Sequence, residues 1–120
     1  MRLPIAYALL HPERKPNELR PWNPIDTPTL TFEAVDEETF PCLELAKQSV
    51  RVGGTMPCAM NAANEIAANS FLKGELRFLE ISEVVRRTLL EHETLVPTLD
   101  NVLATDASAR DFARKLIEET

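Results

Sequence analysis

From residue 41 onward, apolar side chains recur every three to four positions, the spacing that lines one face of a helix. Pro41 opens a first helix over residues 41–52, with Leu43, Ala46 and Val50 on one face. The acidic stretch 36–40 is set against its N-terminus, where the helix dipole favours negative charge. Gly53-Gly54 ends it, because glycine takes the left-handed conformation of a helix C-terminus without steric cost. Thr55 is placed to cap a second helix, with Pro57 near its start, running to Lys73 and stopped by Gly74. Met60, Ala63, Ala67 and Phe71 form its buried stripe, and alanines at 59, 62, 63, 67 and 68 permit close approach of a neighbour. Ser82 is expected to cap a third helix reaching about Glu93, with Ile81, Val85 and Leu89 in register. Thr98 and Asp106 are expected to cap a short helix and a longer final one that buries Ala109, Phe112, Ala113 and Leu116. Connections of a few residues favour antiparallel neighbours, so the fold class is mainly α, a small bundle of four to five helices.

The first 40 residues follow a different pattern. Pro4 suits the first turn of a short helix continuing over 5–10, and His11-Pro12 ends it. Between Pro12 and Pro28 no proline-free window is long enough for a stable helix, which predicts an extended, polyproline-like arm. Leu30, Phe32 and Ala34 alternate with Thr31 and Glu33, the period-2 signature of a half-buried strand near 29–34. A lone strand cannot satisfy its own ladder, and no partner strand is evident elsewhere in the chain. The expected organisation is a short helical segment at 1–12, a linking arm at 13–40, and a helical domain at 41–120.

Composition sharpens this division. Six of the nine prolines lie in the first 28 residues, whereas all three glycines follow residue 50. Residues 1–30 carry four basic and three acidic side chains, residues 31–46 none and five, and residues 47–120 nine and eleven. The resulting net charge of −6 argues against nucleic acid or an anionic membrane surface as a main partner. No apolar run approaches the roughly 20 residues needed to span a bilayer, and the N-terminus has no signal-peptide pattern, so an intracellular, cytoplasmic location is expected. Two cysteines, Cys42 and Cys58, are too few for a disulfide scaffold or a four-cysteine zinc site.

Candidate chemistry is sparse. Asn61, Asn64 and Glu65 share one helical face and could hold a hard cation or a water. The competing reading is that the asparagines bond locally and Glu65 is solvated or paired with an arginine. Cys42 and Cys58 each sit near a helix start, where the dipole would favour a thiolate, although buried inert thiols are the commoner outcome. His92, between Glu91 and Glu93, reads as a cationic C-terminal cap or a solvated residue, and His11 precedes a proline. Arg86-Arg87 could receive a phosphate, but their helix also carries Glu83 and Glu91, which favours a solvated face. Trp22, in the arm between Pro21 and Pro24, is the residue that most needs something to pack against. These residues assemble no complete catalytic set.

Three stretches resemble one family. Met1-Arg2-Leu3-Pro4-Ile5-Ala6-Tyr7-Ala8-Leu9, then Leu30-Thr31-Phe32-Glu33 with Phe40-Pro41-Cys42-Leu43-Glu44-Leu45-Ala46, then Gly53-Gly54-Thr55-Met56-Pro57 leading into Asn61-Ala62-Ala63-Asn64-Glu65, are similar in order to the last third of 1-deoxy-D-xylulose 5-phosphate reductoisomerases. The resemblance implies a three-part bacterial parent enzyme: an NADPH-binding domain, a catalytic domain, and a helical C-terminal domain reached through an extended arm. It further implies an isomerisation and NADPH-dependent reduction giving 2-C-methyl-D-erythritol 4-phosphate, a step of non-mevalonate isoprenoid synthesis, assisted by a divalent metal (Mg or Mn). The parent would be a homodimer with the arm's strand near the interface. Of the family's functional positions only Met1, which packs near the nicotinamide, is matched here; no catalytic or metal-ligating residue is carried over. The segment is therefore expected to be structural, to bind no cofactor alone and to be inactive without the remaining domains. Two alternatives stand beside it: an independent helical interaction module that recruits a partner through the arm, and a small metal-dependent enzyme using Asn61, Asn64 and Glu65.

Overall fold

Among the described residues five helices form, near the segments expected from the sequence but with shifted boundaries. The structure, a computed structural model, describes residues 2–119: α1 (Arg2–Leu10), α2 (Cys42–Val52), α3 (Met56–Leu72), α4 (Phe78–Glu91) and α5 (Leu99–Glu118). The chain divides into two units, Met1–Ala34 and Val35–Thr120.

In the first unit α1 takes Pro4 into its first turn, where a missing N–H leaves no hydrogen bond unmade. Tyr7 meets the His11 ring edge-on at 5.6 Å, and the Arg14 guanidinium lies 4.4 Å from the Tyr7 ring centre. Beyond α1 the proline-rich chain is largely irregular and is interrupted by side-chain-initiated bends. Asn17 Oδ1 accepts the Leu19 N–H at 2.9 Å, and Asn23 Oδ1 accepts that of Ile25 at 3.0 Å. Residues 28–36 have no regular secondary structure, so the strand expected near 29–34 is not formed among the described residues. Alternation alone is insufficient, because a strand is held by a neighbour's N–H and C=O groups and none lies alongside.

In the second unit α3 is the central element and packs against α2, α4 and α5. Ala59, Ala62, Ala63 and Ala67 are wholly buried along it, the close approach anticipated from its alanines. They face Val84 and Val85 of α4 and Ala109, Ala113 and Leu116 of α5, and Leu76 of the α3–α4 connection is buried with them. Among the described residues the largest fully buried side chains are Val85, Thr55, Thr88 and Ser49, so cohesion comes from short interhelical distances rather than bulky groups.

Several expectations need correction. The inner face of α2 is formed by Leu45, Ala46 and Ser49, whereas Leu43 and Val50 are exposed; the stripe is rotated by a residue or two. Residues 37–39 form a turn outside α2, held by Asp36 Oδ1 accepting the Thr39 N–H at 2.9 Å. Thr39, through its side chain first and its backbone N–H second, keeps the Asp36 carboxyl below its usual range. Helix α4 begins four residues before Ser82, with Arg77 at the N-cap: the Glu80 carboxylate accepts the Arg77 backbone N–H at 2.6 Å and its Nε–H at 2.8 Å. Ser82 lies inside the helix and donates to the Leu79 carbonyl. Thr98 does cap a helix, accepting the Asn101 N–H at 3.2 Å, but α5 then runs unbroken through Asp106. Asp106 is an interior residue paired with Arg110 one turn later.

Candidate functional site

The Asn61, Asn64 and Glu65 face is built as the spacing demands, but its acid is engaged. Arg110 Nη2 donates to Glu65 at 2.8 Å, while Arg110 Nε donates to Asp106 at 2.7 Å and Nη2 to its second oxygen at 3.1 Å. This clamp ties α3 to α5, pulls the Asp106 carboxyl below its usual range and holds the guanidinium firmly charged. Among the described residues no three His, Cys, Asp or Glu side chains converge to hold a metal ion. The arginine partner of Glu65 lies 45 residues away, a pairing that helical spacing within α3 could not identify.

Both thiols are half-buried, and burial pushes the pKa of each up. Cys58 also faces Asp106, which adds to the rise, and donates to the Val102 carbonyl at 3.4 Å. Any preference for thiolate at a helix start is outweighed. Arg86 is bound to Glu83 at 2.6 and 3.0 Å, which leaves the Arg86-Arg87 pair on a salt-bridged outer face.

A polar node joins two loops at one end of the bundle. Thr55 occupies the N-cap position of α3, yet its hydroxyl does not cap the helix. Instead Oγ1 accepts the Leu95 N–H at 3.0 Å and lies 2.9 Å from His92 Nε2, and the Thr55 N–H donates to the Leu95 carbonyl at 3.0 Å. Gly54 makes this approach possible: at φ +56° a Cβ there would lie 2.6 Å from both the Leu95 carbonyl oxygen and Thr94 Cγ2. His92 does stand at the C-cap of α4, its backbone N–H donating to the Thr88 carbonyl at 3.1 Å, but its ring faces Thr55 rather than open solvent. Its ring is half-buried, and burial lowers its pKa against the opposing pull of Glu93. The sequence signal for this node is Gly53-Gly54-Thr55, which reads as a helix stop and start and says nothing of residues 92–95.

Surface apolarity is the other outstanding feature. In the first unit no residue from 2 to 34 is buried, and Trp22 (65% exposed), Ile25 (83%) and Phe32 (89%) carry large apolar surfaces without a covering group. In the second unit Phe40, Phe71 and Phe78 form an edge-to-face row with centroids 5.9 Å apart. Phe40 and Phe78, with Cys42, Asn64 and Ile81, help line an apolar cavity of about 200 Å³ at the start of α2 and α4. Met1, the position tied by resemblance to a nicotinamide, lies outside the described residues.

Residues 1–112 match the model of a family described as the DXP reductoisomerase C-terminal domain. The chain is 46% identical over 118 residues to 1-deoxy-D-xylulose 5-phosphate reductoisomerase of Desulforamulus reducens, covering 98% of this chain and 30% of the relative. It is 48% identical over 119 residues to the enzyme of the same name from Ralstonia pickettii, again covering 30% of that protein. In shape it is similar to 1-deoxy-D-xylulose 5-phosphate reductoisomerase from Zymomonas mobilis in complex with NADPH, with a TM-score of 0.83 and 39% identity over 98% of this chain and 31% of that one. A crystal structure of DOX-P reductoisomerase in complex with magnesium gives a TM-score of 0.80 at 30% identity over 96% of this chain and 31% of that one. The chain therefore spans about a third of the length of the relatives it matches.

Proposed function

Because the chain belongs to the DXP reductoisomerase C-terminal domain family, we propose that it is the helical end of a reductoisomerase and that its part in the enzyme is to buttress the catalytic architecture. The parent converts 1-deoxy-D-xylulose 5-phosphate to 2-C-methyl-D-erythritol 4-phosphate with NADPH and a divalent metal, Mg or Mn, in the bacterial cytoplasm. Residues 1–12 are the tail of the catalytic domain, 13–40 the linking arm and 41–120 the helical domain. The parent is a homodimer with the arm near the interface.

The observation that carries this reading is the exposure of Trp22, Ile25 and Phe32 in a unit with no buried residue among those described. Covering one large apolar side chain contributes about 1.5–3 kcal/mol, so such an arm gains stability when it lies on further protein. The residues present do not fit the metal: the acids nearest a donor cluster, Glu65 and Asp106, are already bound to Arg110. No catalytic step is assigned to this chain. Its contribution is to hold other domains in place, and alone it neither binds NADPH tightly nor turns over substrate.

The test is NADPH oxidation with 1-deoxy-D-xylulose 5-phosphate, run on the chain alone and after mixing with a polypeptide carrying the two missing domains. No turnover alone and a gain in activity on mixing are expected; turnover by the isolated chain overturns the assignment. A second reading, an independent module that captures a partner as an added strand, draws on the unpaired stretch 28–36. It requires that stretch to gain hydrogen-exchange protection on a partner other than reductoisomerase domains.

A further inference from the structure

Hydroxyl and imidazole at the loop junction form a relay whose direction depends on one proton. Thr55 is fully buried; its oxygen accepts the Leu95 N–H and lies 2.9 Å from His92 Nε2, which among the described contacts is the group that would accept the single hydroxyl proton. That arrangement requires a neutral ring with its proton on Nδ1. We propose that His92 is a pH-sensitive latch on the α4–α5 connection, closed when the ring is neutral and released when it is protonated.

An imidazolium has no acceptor to offer. Protonation turns Nε2 into a donor aimed at an oxygen that already accepts from Leu95, and leaves the Thr55 hydroxyl proton without its partner in a buried position. The surroundings favour the neutral ring. His92 lines a recess with Thr88 and Glu91 of α4, Glu93 and Leu95 of the loop, and Thr105 and Ser108 of α5. The titratable groups in that lining are Glu91 and Glu93; α5 contributes none, and α3 presents Thr55. Glu93 pulls the ring toward the charged form, but burial prevails and lowers its pKa. A ring held below its ordinary value binds a proton more readily in the unfolded chain than in the folded one. Its stabilising contribution is therefore complete above the ordinary value of 6.5 and is lost as pH falls through the lower, folded value.

The measurement is a proton NMR titration of the 120-residue chain between about pH 8 and pH 4.5, with His92 distinguished from His11 by a His11→Asn variant. Leu95 amide protection factors are followed in parallel. His92 should titrate below 6.5, and Leu95 protection should fall as pH drops from 6.5 toward that lower value, by up to about tenfold per pH unit within the window, levelling off once the folded ring is charged. In His92→Gln, whose side-chain oxygen accepts without titrating, Leu95 protection should become independent of pH over the same range. Titration at or above 6.5, or Leu95 protection that stays flat between 6.5 and the midpoint of the ring's own titration, overturns the latch, and the wild-type chain alone decides this if the variant does not fold.

Discussion

At Gly54 two constraints coincide, a left-handed backbone and a neighbouring carbonyl within 2.6 Å of where a Cβ would stand. Gly54→Ala should therefore destabilise the chain by about 2 kcal/mol or more, from left-handed strain plus overpacking, read as a lower urea midpoint at unchanged slope. Gly53 serves as the control. It also has positive φ, but a Cβ there meets nothing within 4 Å, so Gly53→Ala should lose only the conformational part. Next along the chain, Thr55→Val removes the acceptor of the Leu95 N–H and should cost about 1–3 kcal/mol, whereas Thr55→Ser, which keeps the hydroxyl, should lose less. The thiols provide a readout by chemistry. With the pKa of both raised by burial, Cys42 and Cys58 should alkylate with iodoacetamide at about pH 7.5 more slowly than in the urea-unfolded chain. Equal rates in the two states would show that these side chains are not shielded.

Among the helices, α3 governs the rest. Its alanines are buried against two neighbours at once, so Ala63→Leu should cost about 1–3 kcal/mol by forcing helices apart, measurable as a lower thermal midpoint. This element was also the most legible in the sequence: a Gly-Gly stop, a proline near the start, a run of alanines and a closing glycine specify its bounds and its packing. Where the reading failed, another interaction had overridden a local signal. Ser82 and Asp106 resemble caps in isolation. Glu80 moves the start of α4 back by accepting from Arg77, and Arg110 turns Asp106 into a helix-interior ion pair. The alternation at Leu30, Phe32 and Ala34 specifies which side chains share a face, but a strand also needs a partner backbone. The His92 relay was illegible for a related reason, since it spans 37 residues between two loops and each member has a plausible local role. The resemblance, by contrast, was legible because its three stretches occur in order along the chain, and the family match over residues 1–112 bears it out.

Taken whole, the molecule joins a first unit with no buried described residue to a bundle with a packed interior. Proteolysis should expose that contrast. A glutamate-specific protease should cut after Glu18 or Glu33 well before any glutamate in α3 or α4, leaving a fragment whose helical circular dichroism is retained. Comparable cutting within the bundle would mean that the two parts open together. Adding a polypeptide with the other domains of the proposed parent should slow the early cuts if the arm lies on them. Trp22, the sole tryptophan, is a convenient reporter: at 65% exposure its emission should shift to shorter wavelength when a covering surface arrives. The same uncovered side chains would shape the fate of the segment in a cell. Synthesised apart from its companions, it would display a sticky, protease-accessible leader and be cleared early, so its abundance would follow theirs without any dedicated regulator.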